Sequence, residues 1–153
     1  MKVNFYFINN DIMSFIIDFI SKFVNKNNEK LLLYSTSMEK IKKFDESLWV
    51  DCKDYDFLPH SIFDKNKKIN EHEKLLLSIE LINDNKCNNL LLSSFVDDVN
   101  FLKSFNKVFY IFTKLNNKSV EQARNSLNFF KTLDCNITIN EKTKNSWTVI
   151  DSF

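Results

Sequence analysis

Few residues in this chain have side chains suited to chemistry. His60 and His72 are its only histidines, and Cys52, Cys87 and Cys135 its only cysteines. A zinc site would need these histidines together with Cys52 or Cys87, but the spacings fit no compact ligand pattern, so no metal is expected. Cys52 and His60 have the types of a thiol nucleophile and its base. Nothing near them in sequence supplies the oxyanion donors that acyl transfer requires, so Cys52 reads as a loop thiol. Asp45, Glu46, Asp51, Asp54 and Asp56 form a dense acidic set around Trp49. Paired carboxylates do acid–base work when their surroundings separate their pKa values. A set scattered over a helix end and a loop reads instead as a solvated face. No catalytic residue is assigned.

Three glycine-dependent motifs are excluded on different grounds. The chain has no glycine among its 153 residues, where average usage of about 7% would give about ten. A P-loop, a G-x-G-x-x-G turn and a G-x-S-x-G elbow each need a residue without Cβ, so that backbone can approach a phosphate or bend sharply. Of 21 basic residues, Arg124 is the one arginine, and Asn, Lys, Ile and Phe are abundant. That bias is typical of A+T-rich coding sequence, which accounts for most of the missing glycine. Turns then fall to Asn and Asp, the next most tolerant residues at positive φ.

The 21 basic and 20 acidic residues leave a net charge of +1, which gives no broad field for a nucleic-acid backbone. An odd, dispersed set of cysteines suits a reducing compartment. The most apolar stretch, Ile12 to Val24, carries Asp18 and Lys22 and is too short to cross a bilayer. A cytoplasmic location is expected, with residues 1–153 forming one domain and no cofactor.

The elements that must position these residues follow from periodicity. Residues 3–8 read as a strand, and Asn9, Asn10 and Asp11 as a turn with N-cap oxygens. From Ile12 to Asn27 the apolar residues recur every three or four positions, which predicts an amphipathic helix. Residues 30–34 read as a second strand. A helix capped by Ser35 or Ser37 then runs to about Trp49. A helix between two strands implies a parallel pair. Residues 51–59 read as a loop and 65–74 as a charged excursion. The runs 75–80 and 89–93 are compatible with one antiparallel ribbon. Further on, Asp97–Ser104 suits a short helix, 107–112 a strand, and Ser119–Leu133 a helix burying Val120, Ala123, Leu127 and Phe130. Residues 136–139 and 146–150 suit a terminal hairpin.

Two features stand out from this frame. Trp49, Tyr55, Phe57, Leu58 and Pro59 put large apolar groups on a connection, which implies a second small core or a surface for another protein. Arg124 is the other: a lone arginine is either chance or the bidentate partner of a specific carboxylate.

At these same places the sequence resembles the chi subunit family of bacterial DNA polymerase III, part of the clamp-loader assembly. KLLLYSTSMEKIKKFDESLW (30–49) is similar to the family's second strand and helix, and FLPHSI (57–62) to the loop that follows. VNFYFINND, KVFYIF and QARNSLNFFK fit its first strand, late strand and late helix. The resemblance implies a single Rossmann-like α/β domain. Its mostly parallel central sheet would be flanked by helices and have no nucleotide-binding turn. It implies a non-catalytic adaptor that links the clamp loader to single-stranded-DNA-binding protein by holding that protein's acidic, Phe-terminated C-terminal tail. The tail site would fall on Arg124, with Phe112 and Leu127 at the ring pocket. Val120 stands where relatives often carry Lys, and Lys118 is nearby. A contact for the psi subunit, or another clamp-loader component, would fall on Trp49, Phe57, Leu58, Pro59 and His60. DNA would be an indirect partner, with no membrane involved. The competing readings are a single-stranded nucleic-acid-binding module that stacks bases on aromatic rings and a nucleotide-dependent enzyme on the same scaffold.

Overall fold

Strands of alternating register and helices with one wide apolar stripe can bury both faces of a sheet, and this chain does so. The computed structural model describes residues 1–50, 58–70, 72–144 and 146–151. In order along the chain, the first half comprises β1 (Lys2–Ile8), α1 (Ile12–Asn27), β2 (Leu31–Tyr34), α2 (Met38–Val50), β3 (His60–Ile62) and β4 (Leu75–Ser78). The second half comprises β5 (Asn89–Leu92), α3 (Val99–Lys103), β6 (Lys107–Thr113), α4 (Asn117–Lys131), β7 (Asn136–Lys142) and β8 (Trp147–Ile150). Among the described residues the strands form one eight-stranded sheet in the order β3-β4-β2-β5-β6-β1-β7-β8. Every neighbouring pair is parallel except β7 with β8. This is a single Rossmann-like α/β domain, as the sequence leads one to expect.

The pleat divides the core in two. Leu31, Leu33, Leu75, Leu77 and Leu91 turn to the face covered by α1 and α2, where Ile16, Ile20, Ile41 and Phe44 meet them. Leu32, Leu76, Leu90 and Leu92 turn to the face covered by α3 and α4, where Phe101, Ala123, Leu127 and Phe130 close the layer. Runs of leucine buried on both faces are the expected sequence of parallel strands.

Three topological expectations are corrected. The runs at 75–80 and 89–93 do not form an antiparallel ribbon. β4 and β5 flank β2 on opposite sides, each parallel to it. β1 and β2 are parallel but not neighbours, because β5 and β6 lie between them. The segment after Pro59 contains a strand, β3, pairing with β4 at the sheet edge. Three half-buried residues carry too little periodicity to announce it, and a proline just before an edge strand costs no ladder bond.

The turns manage without glycine. Only Asn28, at φ 52, and Lys86, at φ 50, are left-handed among the described residues. Asn28 is the C-cap of α1, a position that favours Gly or Asn. Asp11 caps the start of α1, its carboxylate accepting from the Ser14 amide at 2.8 Å. In a nucleotide-binding relative of this layout a phosphate would occupy that helix N-terminus; here the chain's own carboxylate does.

Phe5 lies at the centre of the α3/α4 layer, with ring centroids of Tyr110, Phe130 and Phe112 at 5.4, 6.0 and 6.3 Å. Phe5→Ala should cost about 3–5 kcal/mol through lost contacts and the cavity left behind. Urea denaturation measures it, with Phe5→Leu expected to cost less; a loss below about 1 kcal/mol would contradict this packing.

Candidate functional site

Helix α4 carries four of the candidate tail-binding residues, Lys118, Val120, Arg124 and Leu127, and follows the strand that carries Phe112. Its start is fixed by Asn116, whose side-chain oxygen accepts from the amides of Lys118 (2.9 Å) and Ser119 (3.4 Å). The preceding strand end is held as well. Thr113 donates its hydroxyl to the Asn10 carbonyl at 3.2 Å, and its amide donates to Ser119 Oγ at 3.3 Å. Ala123, Ser126, Leu127 and Phe130 form the buried stripe of the helix.

At about 100° per residue, Val120, Arg124, Leu127 and Lys131 fall within one narrow flank beside that stripe. The later half of the flank borders a groove of about 420 Å³, with Leu127 and Lys131 on one wall, Ile137, Ile139 and Ile150 on the other, and Asp151 also in the lining; Val120 and Arg124 lie one to two turns before it along the helix. Val120 is half-buried against the core, while Arg124 and Lys131 are exposed. Lys118 does not join them, because it lies about 120° around the helix from Arg124. Phe112 is 1% exposed and stacks on Phe7 with ring centroids 4.6 Å apart, so it is a core residue and does not line the groove. Lys114 lies 4.3 Å over the Phe7 ring and pairs with Glu141. Sequence reading missed Lys131, which lies two helical turns after Arg124, and the β7–β8 wall, whose short runs carry no chemical signature.

The second candidate surface lies at the end of α2. Trp49 is 58% exposed, and its ring centroid is 4.8 Å from that of His60. The His60 side chain is only 1% exposed. Its Nδ1 donates to the Leu58 carbonyl at 2.7 Å, and its Nε2 faces Asp45 Oδ1 at 3.4 Å. His60 therefore anchors the chain beneath Trp49. Leu58 is 3% exposed and belongs to the α1/α2 core, so it fixes the segment and leaves Trp49 to present the apolar surface. Pro59 is half-buried, its carbonyl accepting from the Lys74 amide. Phe57, like Cys52, Asp51, Asp54, Tyr55 and Asp56, lies outside the described residues. Among the described residues, no three His, Cys, Asp or Glu side chains gather in a way that could hold a metal ion, and no helix is long and apolar enough to cross a membrane.

Comparison with known proteins agrees with this architecture. A family model described as DNA polymerase III chi subunit, HolC, matches residues 1–138. No curated protein matches the chain. Among solved structures, the C-terminal domain of S. cerevisiae Dbp5 L327V, bound to Gle1 H337R and IP6, is similar at 6% identity and a TM-score of 0.56, with 90% of each chain covered. The C-terminal part of the Fun30 ATPase domain is similar at 11% identity and a TM-score of 0.48, over 94% of this chain and 52% of that one. At 6% identity the Dbp5 likeness speaks to the fold alone.

The described thiols are poor nucleophiles. Burial pushes the Cys87 thiol from 9.0 up to about 11, although it donates to the Asn89 carbonyl at 3.3 Å. Burial also raises the hydroxyl pKa values of Tyr6, Tyr34 and Tyr110. Each of these groups stays neutral in the fold at a pH where the unfolded chain ionises it. The Cys87 contribution is therefore complete below about pH 9 and is lost as pH rises toward about 11, and the tyrosine contributions are lost only as pH rises above 10.0. The urea midpoint should be level from pH 7 to 8.5 and fall above pH 9. Peptide mapping should find Cys87 unalkylated by iodoacetamide at pH 8 under native conditions; rapid labelling there would overturn its burial.

Proposed function

Because the chain belongs to the DNA polymerase III chi subunit family, we propose that it serves as a replisome adaptor, linking the clamp-loader complex to single-stranded-DNA-binding protein. Family membership carries an accessory role in the polymerase. The finer assignment is that the groove beside α4 holds the acidic, Phe-terminated C-terminal tail of the single-stranded-DNA-binding protein. One observation carries this reading: a single flank of α4 aligns Arg124 with Leu127 and Lys131, and the latter two line a groove of about 420 Å³ whose far wall carries Ile137, Ile139 and Ile150. A terminal carboxylate next to an aromatic ring needs such a pairing of cation and apolar recess. Arg124 supplies a planar fork for the carboxylate, and Lys131 a point charge for the acidic residues before it. Leu127 and Ile139 receive the ring, with Phe112 in the same core cluster and Val120 packed against that cluster two turns before Leu127. DNA is then reached through the tail, which suits a net charge of +1.

A second contact, to the psi subunit or another clamp-loader component, is assigned to Trp49, Pro59 and His60, with Leu58 holding the segment in place and Phe57 completing it. An exposed indole over a buried, hydrogen-bonded imidazole is a rigid anchor of the kind that dominates interface energies. The two surfaces use different elements, so one chain can hold both partners. No step of this role requires a cofactor or a catalytic residue.

Fluorescence anisotropy with a labelled acidic peptide ending in Phe tests the tail site. Arg124→Ala removes a charge-assisted contact of about 1.5–3 kcal/mol and should weaken binding about tenfold or more. Lys131→Ala should weaken it less, and Lys118→Ala hardly at all, because Lys118 is on another side of α4. Equal affinity of wild type and Arg124→Ala would overturn the site, and no binding by wild type would overturn the function.

A further inference from the structure

A second and larger groove lies on the opposite face of the same sheet edge. Its volume is about 670 Å³, and it runs between α1 and the strands β1, β7 and β8. The floor is aromatic. Tyr6 meets Trp147 at 5.2 Å and Phe19 at 5.7 Å, and Phe15 meets Trp147 at 5.8 Å between ring centroids. Trp147 remains 42% exposed. The rim is cationic. Lys22 is engaged by Asp18 at 2.7 Å, whereas among the described residues neither Lys26 nor Lys142 has an ion-pair partner. Lys142 Nζ lies 5.3 Å over the Phe15 ring and 6.0 Å over that of Trp147.

We propose that this groove is a docking site for an extended acidic peptide segment with apolar side chains at alternate positions. Three observations select that occupant. From Phe15 to Lys26 the wall of α1 is roughly 16 Å long, at about 1.5 Å per residue, which matches about five residues of extended chain at about 3.3 Å each. An extended chain alternates its side chains, so one row enters the aromatic floor while the other reaches Lys26 and Lys142. The floor and rim also carry opposite demands, apolar below and anionic above. A nucleic-acid strand fits less well, because it brings a charge with every nucleotide and needs a longer cationic track than two unpaired lysines provide. Lys142 and Trp147 lie beyond the residues matched by the chi family model, so this groove uses a part of the chain that the family match does not include.

The probe is Asp-Phe-Asp-Phe-Asp, acetylated and amidated so that it has no terminal carboxylate for the α4 groove. In a Trp49→Phe background, Trp147 is the sole tryptophan, and binding should shift and quench its emission. The paired substitution Lys26→Glu with Lys142→Glu should weaken binding at least tenfold, with the circular dichroism spectrum and urea midpoint unchanged. Arg124→Ala should leave the affinity unaltered, which separates this site from the α4 groove. Absence of binding, binding indifferent to the lysine reversals, or binding lost in Arg124→Ala would each overturn the proposal. So would tighter binding of ten-residue oligothymidylate than of the peptide, if the lysine reversals abolish it.

Discussion

Burial of both faces of a parallel sheet is the constraint on which the rest of the molecule depends. A parallel strand presents alternate side chains to opposite sides, and neither side of this sheet's centre faces water. Leucines at odd positions of β2, β4 and β5 enter the α1/α2 layer, while their even-numbered neighbours enter the α3/α4 layer. With leucine in both rows, apolar character alone cannot set register. The ends of the strands set it instead. Asn89 begins β5 by donating to Glu29 Oε2 and to the Lys30 carbonyl, both at 2.9 Å. Ser78 ends β4 by donating to the Glu80 carbonyl at 2.9 Å. Slipping a strand by one residue would bury these polar groups without partners, at a cost of about 1–3 kcal/mol each.

A chain without glycine must avoid left-handed backbone, and this one nearly does. Among the described residues the two left-handed ones close turns where other contacts over-determine the geometry. Asn28 ends α1, and its side-chain oxygen accepts from Lys74 Nζ. The Lys86 turn is clamped by Asn83, which exchanges hydrogen bonds with the backbone of Cys87 at 3.0 Å in both directions. The same lack of glycine fixes what the first β–α turn can do. Asp11 meets the helix N-terminus with its own carboxylate, and a carboxylate and a phosphate cannot share that position.

Much of the fold was legible because its signals are local. The stripe in α1, the Asp11 cap, the short helix near 97–104 and the antiparallel terminal hairpin all follow from spacing and residue type, whereas α4 starts at Asn117, two residues before the expected Ser119. What escaped was order in space. Nothing in KLLLY or LLLSIE says that β5 and β6 will lie between β1 and β2, since strands buried on both faces look alike. β3 was too short to read. Of the residues proposed for the tail, Arg124 was legible as the one arginine, and Val120 and Leu127 as helix neighbours. The division of labour was not, because Lys118 and Lys131 differ only in angle around α4, and Phe112 differs from a pocket residue only in depth. Trp49 and Leu58 are alike in hydropathy and opposite in exposure, because α2 ends at Val50 while Leu58 turns back into the core.

The terminal hairpin shows how one small element can serve two surfaces. Antiparallel register pairs Ile139 with Ile150 and Lys142 with Trp147. Paired residues share a face, and residues an odd number of positions apart face opposite ways. The isoleucines therefore line the groove beside α4, and the lysine and tryptophan line the groove beside α1. Helices cover both faces at the centre of the sheet, but at this edge neither α1 nor α4 reaches far enough to close over β8. Two open grooves result, one on each side of a wall one strand pair thick. The hairpin is thus the shared wall of both grooves.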